Sequence, residues 1–249
     1  MSTIKQFIVH LHNFRSFITK NWIETLLVIF SLSFSFWLMF HTFSYKDGSM
    51  LIAGKAWSDF ASHIPLIRSF SLGDNFPPEY PLFPGEPIRY HFLFYALVGM
   101  IEKLGVRIDY ALNIPSALSF AALILVIYFF AKSLFKSRAV GLLSVLFFLF
   151  NGSLSFIYFL QKNGFELAGL LPKMINNEVF PAFAPYDGTL ISGGFWNLNV
   201  FTNQRHLALP LVLVLVVVLI FIKYESALKK VPNKLSIVLG TLMGILLFL

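Results

Sequence analysis

The chain has 249 residues, of which 57% are hydrophobic and only 12% charged, with thirty Phe and a formal net charge of +7; its mean hydropathy is +0.75. A soluble domain carries about 25% charged residues, so the composition excludes one and makes the chain an integral membrane protein. In such a chain, basic residues sort to cytoplasmic loops, so the positive balance gives no ground for nucleic acid as a partner. The absence of cysteine excludes disulfides, thiolate chemistry and Cys-type metal sites.

Apolar runs longer than the ~18 residues of a spanning helix, without barrel-type alternation, predict an all-α polytopic bundle. Lys5, Arg15 and Lys20 precede a first span over 22–43 with no acid among them, which predicts a cytoplasmic N-terminus. Glu24, one turn inside that span, is expected to reach the interface. A polar segment follows over 44–109 and holds seven of the twelve acidic residues. Further apolar segments cover 90–104, 111–130, 139–160, 207–224 and 235–249. The terminal run, fifteen residues that end without a flanking charge or aromatic anchor, is shorter than the ~20 needed to cross and leads us to expect a longer natural protein.

The basic loops settle the expected orientation. Lys132, Lys136 and Arg138 share one short loop, and Lys223, Lys229, Lys230 and Lys234 another, so both belong on the cytoplasmic side. With the first helix running outward, only one of the segments 90–104 and 111–130 is able to cross. The shorter, 90–104, carries Glu102 and Lys103 at its end and is predicted to lie at the outer interface. Segments 44–109 and 161–205 then form two external loops, both rich in Pro and Gly.

Chemistry is sought in these loops. Asp59 and His63 stand four apart, on one face of a short helix; a partly desolvated carboxylate there suits a general base or a metal ligand, and equally an N-cap or surface ion pair. Arg89, Tyr90 and His91 place two cationic groups around a Tyr where a phosphate headgroup would lie, or where a lipid anchor would serve. Glu166, Glu178 and Asp187 are the acids of the second loop, and Gln204, Arg205 and His206 open the next helix, where free N–H groups beside an Arg favour an anion. No GxGxxG, P-loop, HExxH or GxSxG pattern is present,.

The order of these elements resembles the N-terminal half of GT-C-fold membrane glycosyltransferases, nearest to the branch of protein mannosyltransferases and aminoarabinose transferases. The resemblance rests on Pro77-Pro78-Glu79-Tyr80, Lys103-Leu104-Gly105, Asn113-Ile114-Pro115-Ser116-Ala117-Leu118 and Ala131-Lys132-Ser133-Leu134-Phe135, and covers roughly residues 20 to 160. Asn113 stands where the pattern of that family has an Arg. The resemblance implies transfer of a sugar from a polyprenyl-phosphate-linked donor to a glycan, lipid or protein acceptor at the external face of the cell membrane. Asp59 matches the acid of the first external loop, which acts on the acceptor or binds a divalent metal, Mg or Mn. His63, Arg89, Tyr90, His91, Arg205 and His206 are the expected substrate-binding residues, with a second acid from Glu166, Glu178 or Asp187. Two further readings remain: a non-catalytic scaffold or lipid-binding component of cell-envelope assembly, and a transporter, which calls for broken helices such as the Asn151-Gly152 interruption within a span,.

Overall fold

The computed structural model describes residues 20–53, 57–151, 196–227, 231–246 and 248–249, together with 161, 164–165 and 172. Helix α1 spans Trp22–Thr42, and is followed by a hairpin of β1 (Phe43–Lys46) and β2 (Ser49–Ile52). Next come α2 (Trp57–Ser71), α3 (Leu93–Lys103), α4 (Ile108–Phe135) and α5 (Arg138–Leu149). Helix α6 (Trp196–Asn203) leads through a 3₁₀ turn at Arg205–Leu207 into α7 (Ala208–Ser226), and α8 covers Asn233–Ile245. Trp22–Thr42, Ile108–Phe135 and Arg205–Tyr224 are long and apolar enough to cross a membrane. Their outer faces expose Trp37, Phe129 and Phe221, as lipid-facing surfaces do.

Two sets of polar contacts pin α1 antiparallel to α4. At one end, Glu24 accepts hydrogen bonds from Tyr128 Oη (3.0 Å), Lys132 Nζ (2.6 Å) and Arg138 Nε (3.0 Å). Glu24 is buried, so it turns inward to this cluster and does not reach out to the interface as expected from sequence. At the other end, Asn113 Nδ2 donates to the carbonyl of Phe43 at 2.8 Å. Between the two ends, Leu27, Leu38, Phe120, Ile124 and Tyr128 belong to one buried cluster, which also takes in Val145, Leu149 and Phe201.

The segment after α1 forms its own core. The Asp47-Gly48 turn has φ of 51° and 79°, a pair of positive values that Asp-Gly tolerates and that closes a two-residue hairpin; this hairpin is not among the elements expected from sequence. Asp109, expected at the end of the external loop, instead lies in the first turn of α4 and is buried. Its carboxylate accepts from Tyr45 N (3.1 Å) and in bidentate fashion from Arg107 Nε (2.6 Å) and Nη2 (2.8 Å), which ties the hairpin to α4. Helix α3 is the short helix expected over 90–104. It packs against α2 through Gly99, where a Cβ would come within 2.7 Å of both the Ile67 carbonyl and Phe70 Cβ. The first N–H groups of α3, left open by helix geometry, are taken by the Phe248 carbonyl, which accepts from Phe92 N (3.0 Å) and Leu93 N (2.9 Å).

The span expected over 111–130 runs longer, as Ile108–Phe135. That expected over 139–160 is helical over Arg138–Leu149 and ends at Phe150, residues 152–160 lying outside the described residues.

Candidate functional site

The first turn of α2 sets Asp59 at a helix N-terminus, where exposed N–H groups favour a carboxylate, and His63 follows one turn later. Asp59 is half-buried and His63 buried. Asp59, Ser62, His63, Tyr80, Tyr90 and Gln204 border one open cavity of about 310 Å³. Among the described residues Asp59 has no ion-pair partner.

Behind the cavity wall lies a cluster of rings. His63 stacks on Tyr95 of α3 with centroids 4.5 Å apart, and His206 meets His63 edge-on at 6.2 Å and stacks on His91 at 5.1 Å. Tyr95 Oη and His206 Nδ1 share a 2.8 Å hydrogen bond in full burial. Tyr90 lies at the mouth of this cluster, its ring 5.9 Å from His206 and its hydroxyl donating to Gln204 Oε1 at 3.3 Å. Burial, reinforced by the nearby Arg205 charge, lowers the His63 pKa to about 4, so His63 is a neutral imidazole at physiological pH. Burial also raises the Tyr90 and Tyr95 phenols, with Asp59 adding to both shifts; for Tyr90 this places the acid and the phenol in one electrostatic environment.

Arg205 occupies a different place from the one expected. It is 1% exposed and does not border the cavity. Its Nε donates to Thr202 O (3.1 Å) and its Nη2 to Met39 O (3.2 Å) and Thr42 Oγ1 (2.9 Å). Its Nη1 donates to Asn113 Oδ1. The guanidinium also lies over the rings of Phe60 (5.0 Å) and Phe43 (5.8 Å). A guanidinium has five N–H groups, and four of them are committed here. Arg205 is therefore the bolt that joins the ends of α1, α4 and α6, and it reaches the cavity through its charge, not by contact. Asn113 supplies the amide that receives it.

The other expected residues divide. Arg89 is exposed and paired only loosely with Glu86, at 3.8 Å. His91 adjoins the ring cluster, with its Nδ1 buried and unbonded among the described residues. Glu166, Glu178 and Asp187 lie outside the described residues.

Ser62 and Tyr95 are not among the residues that the sequence points to, while Gln204 and Tyr80 enter there only as parts of the helix start and of the Pro-rich motif. A signal exists for Ser62, which is three residues from Asp59 on a helix. Tyr80 is brought in by the Pro-rich turn. There Asn75 Nδ2 donates to Glu79 O (2.9 Å), Asn75 Oδ1 accepts from Glu79 N (2.8 Å) and Glu79 Oε2 accepts from Gly85 N (3.0 Å).

A metal finds little purchase on what is described. Divalent Mg or Mn favours several oxygen ligands, yet among the described residues Asp59 is the one carboxylate on the cavity and no group of three His, Asp or Glu suited to a metal forms. The residues described do not fit the expected metal.

The profile of an uncharacterized membrane protein family, DUF2298, matches residues 4–180. The chain belongs to that family. No curated protein and no solved structure matches it. The DUF2298 match takes in Asp59, His63, Tyr80, Tyr90 and His91 and stops before Gln204, Arg205 and His206, so the last wall of the cavity is built by residues beyond the matched segment.

Proposed function

We propose that this DUF2298 protein is a membrane glycosyltransferase of GT-C type, which moves a sugar from a polyprenyl-phosphate-linked donor to an acceptor at the external face of the cell membrane. The observation that carries the reading is Asp59: a carboxylate without an ion-pair partner among the described residues, in an open cavity whose other polar groups are neutral. In the reaction the acceptor hydroxyl oxygen attacks the anomeric carbon, the bond from that carbon to the phosphate oxygen breaks, and Asp59 takes the hydroxyl proton. The electron pair leaves with the polyprenyl phosphate.

The neighbouring residues have separate parts. Neutral His63 and the Tyr90 hydroxyl orient sugar or acceptor hydroxyls without competing for the proton. Arg89 is the exposed cation beside Tyr90 and the group free to contact the phosphate; Arg205 contributes a fixed positive field from beneath the cavity. Support for the donor class comes from the likeness to GT-C enzymes at Pro77–Tyr80 and Asn113–Leu118, and from the apolar helices that flank the cavity.

The test is transfer from a radiolabelled polyprenyl-phosphate sugar in membranes that contain the full-length protein. Asp59→Asn, nearly isosteric, should lower the rate about 10²- to 10⁴-fold, the range for loss of a general base, with the protein still inserted and thermally stable. Unchanged transfer would make this reading wrong and leave the non-catalytic scaffold as the better one.

A further inference from the structure

A second cavity lies at the opposite end of the bundle, between the C-terminal ends of α4 and α7. It measures about 480 Å³ and is bordered by Phe129, Ser133, Lys136, Leu219, Ile222 and Lys223. We propose that this cleft binds an anionic phospholipid, with its phosphodiester between Lys136 and Lys223 and its acyl chains along Phe129, Leu219 and Ile222.

Three observations converge on that occupant. The first is charge. Lys132 and Arg138, the other basic residues of this turn, both spend their charge on Glu24. Lys136 and Lys223 are exposed and have no carboxylate partner among the described residues, so the mouth of the cleft is a net cationic site. The second is backbone. Lys136 follows the last turn of α4 with φ of 52°, the left-handed conformation that glycine adopts at a helix C-terminus without strain. A lysine held there in spite of the strain aims its side chain from a fixed base. The third is the wall. Both flanking helices are long and apolar enough to cross a membrane, and only 11% of the α7 window is buried, so the cleft opens sideways to lipid. A cationic mouth above an apolar slot between spanning helices matches an anionic headgroup with its chains. A soluble anion would use the mouth alone.

A competing account is that the two lysines only offset the negative ends of α4 and α7. The two accounts separate by lipid dependence. The full chain, purified in neutral detergent, is titrated with phosphatidylglycerol or phosphatidylcholine and followed by native mass spectrometry. The wild type should retain phosphatidylglycerol in preference to phosphatidylcholine. The variant K136Q/K223Q should bind phosphatidylglycerol about thirtyfold more weakly, the loss of two lysine–lipid attractions. K136R/K223R should keep the preference, and so should Lys46→Gln, which changes an exposed lysine on the hairpin at the far end.

Equal binding of the two lipids, or undiminished phosphatidylglycerol binding by K136Q/K223Q, overturns the proposal. Displacement of the lipid by millimolar inorganic phosphate would make this a free-anion site and also overturns it. Should the double variant fail to fold, Lys136→Gly decides. It relieves the strained residue, so it should raise thermal stability in detergent while weakening phosphatidylglycerol about fivefold; a gain in stability with unchanged lipid binding refutes the assignment.

Discussion

Replacing Arg205 separates a structural bolt from a substrate ligand. The guanidinium is 1% exposed and makes four hydrogen bonds, to Thr202, Met39, Thr42 and Asn113. Arg205→Met keeps most of the side-chain volume and removes the charge. It abolishes the hydrogen bonds, but it also abolishes the cost of burying a cation, and these partly offset. Met39 O retains the Phe43 N–H that caps α1. The main orphan is Asn113 Oδ1 in full burial, a cost of about 1–3 kcal/mol. Arg205→Ala adds a cavity and should cost a further ~2–4 kcal/mol.

Thermal unfolding in detergent micelles should therefore rank wild type above Arg205→Met above Arg205→Ala. A double-mutant cycle with Asn113→Leu tests the cause. Asn113→Leu also strips the Phe43 carbonyl of its donor, but that loss is common to the single and double variants and cancels in the cycle; the Asn113 Oδ1 orphan does not, so the double variant should be at least about 1 kcal/mol more stable than the sum of the singles implies. Additivity within about 0.5 kcal/mol, or an Arg205→Ala protein as stable as the wild type, would refute the assignment of Arg205 to the framework. A protein of unchanged stability that had lost only donor binding would restore it as a phosphate ligand.

Gly99→Ala puts a Cβ 2.7 Å from the Ile67 carbonyl and Phe70 Cβ, so α3 must move off α2, at about 1–3 kcal/mol; Gly240→Ala, with nothing within 4 Å, should be neutral, and equal melting temperatures for the two would contradict the packing argument. His63 titrates near 4 in the folded chain, against 6.5 for an ordinary histidine. The unfolded chain therefore binds the proton first, and stability is full above pH 6.5, falls as the pH drops through that window and levels off below 4, by roughly 3 kcal/mol in all. His63→Phe should remove that part of the pH dependence when unfolding is compared at pH 7.5 and 5; an unaltered slope would assign it to other groups. Glu24→Gln leaves Lys132 and Arg138 without their anion, and since both are partly exposed the loss should be about 1–3 kcal/mol, measured as a fall in melting temperature that high salt reduces.

The helical class and the approximate position of each apolar segment are legible because a run of twenty apolar residues has few alternatives in a membrane protein. The joining of Asp59 and His63 on one face is legible too, since four-residue spacing in a short helix needs no tertiary information. What brings Gln204 and His206 beside them is not. That contact spans more than 110 residues and depends on Arg205 finding Asn113, Thr42 and Met39, none of which looks unusual by itself. Arg205 reads as an exposed interfacial cation because helix-start arginines commonly are. Its burial follows only from the simultaneous supply of four acceptors, three of them uncharged carbonyl or amide oxygens that leave no mark in the charge pattern. The burial of Glu24 is hidden for the same reason: its partners Tyr128, Lys132 and Arg138 are more than 100 residues downstream.

The two polar clusters have opposite consequences for the site. Glu24 with Lys132 and Arg138 fixes the basic end of the bundle through charges that remain partly in contact with solvent, so it sets helix register without a large desolvation cost. Arg205 fixes the other end with a buried cation that has no carboxylate partner among the described residues, its four acceptors all being neutral oxygens. A carboxylate beside Arg205 would cancel the field that the cavity receives; Asn113, Thr42 and the backbone carbonyls satisfy its hydrogen bonds and leave its charge intact. That charge already acts on His63. On the proposed reading the same positive field stabilises the negative charge of a phosphate arriving in the cavity, so the bolt that assembles α1, α4 and α6 also serves the donor.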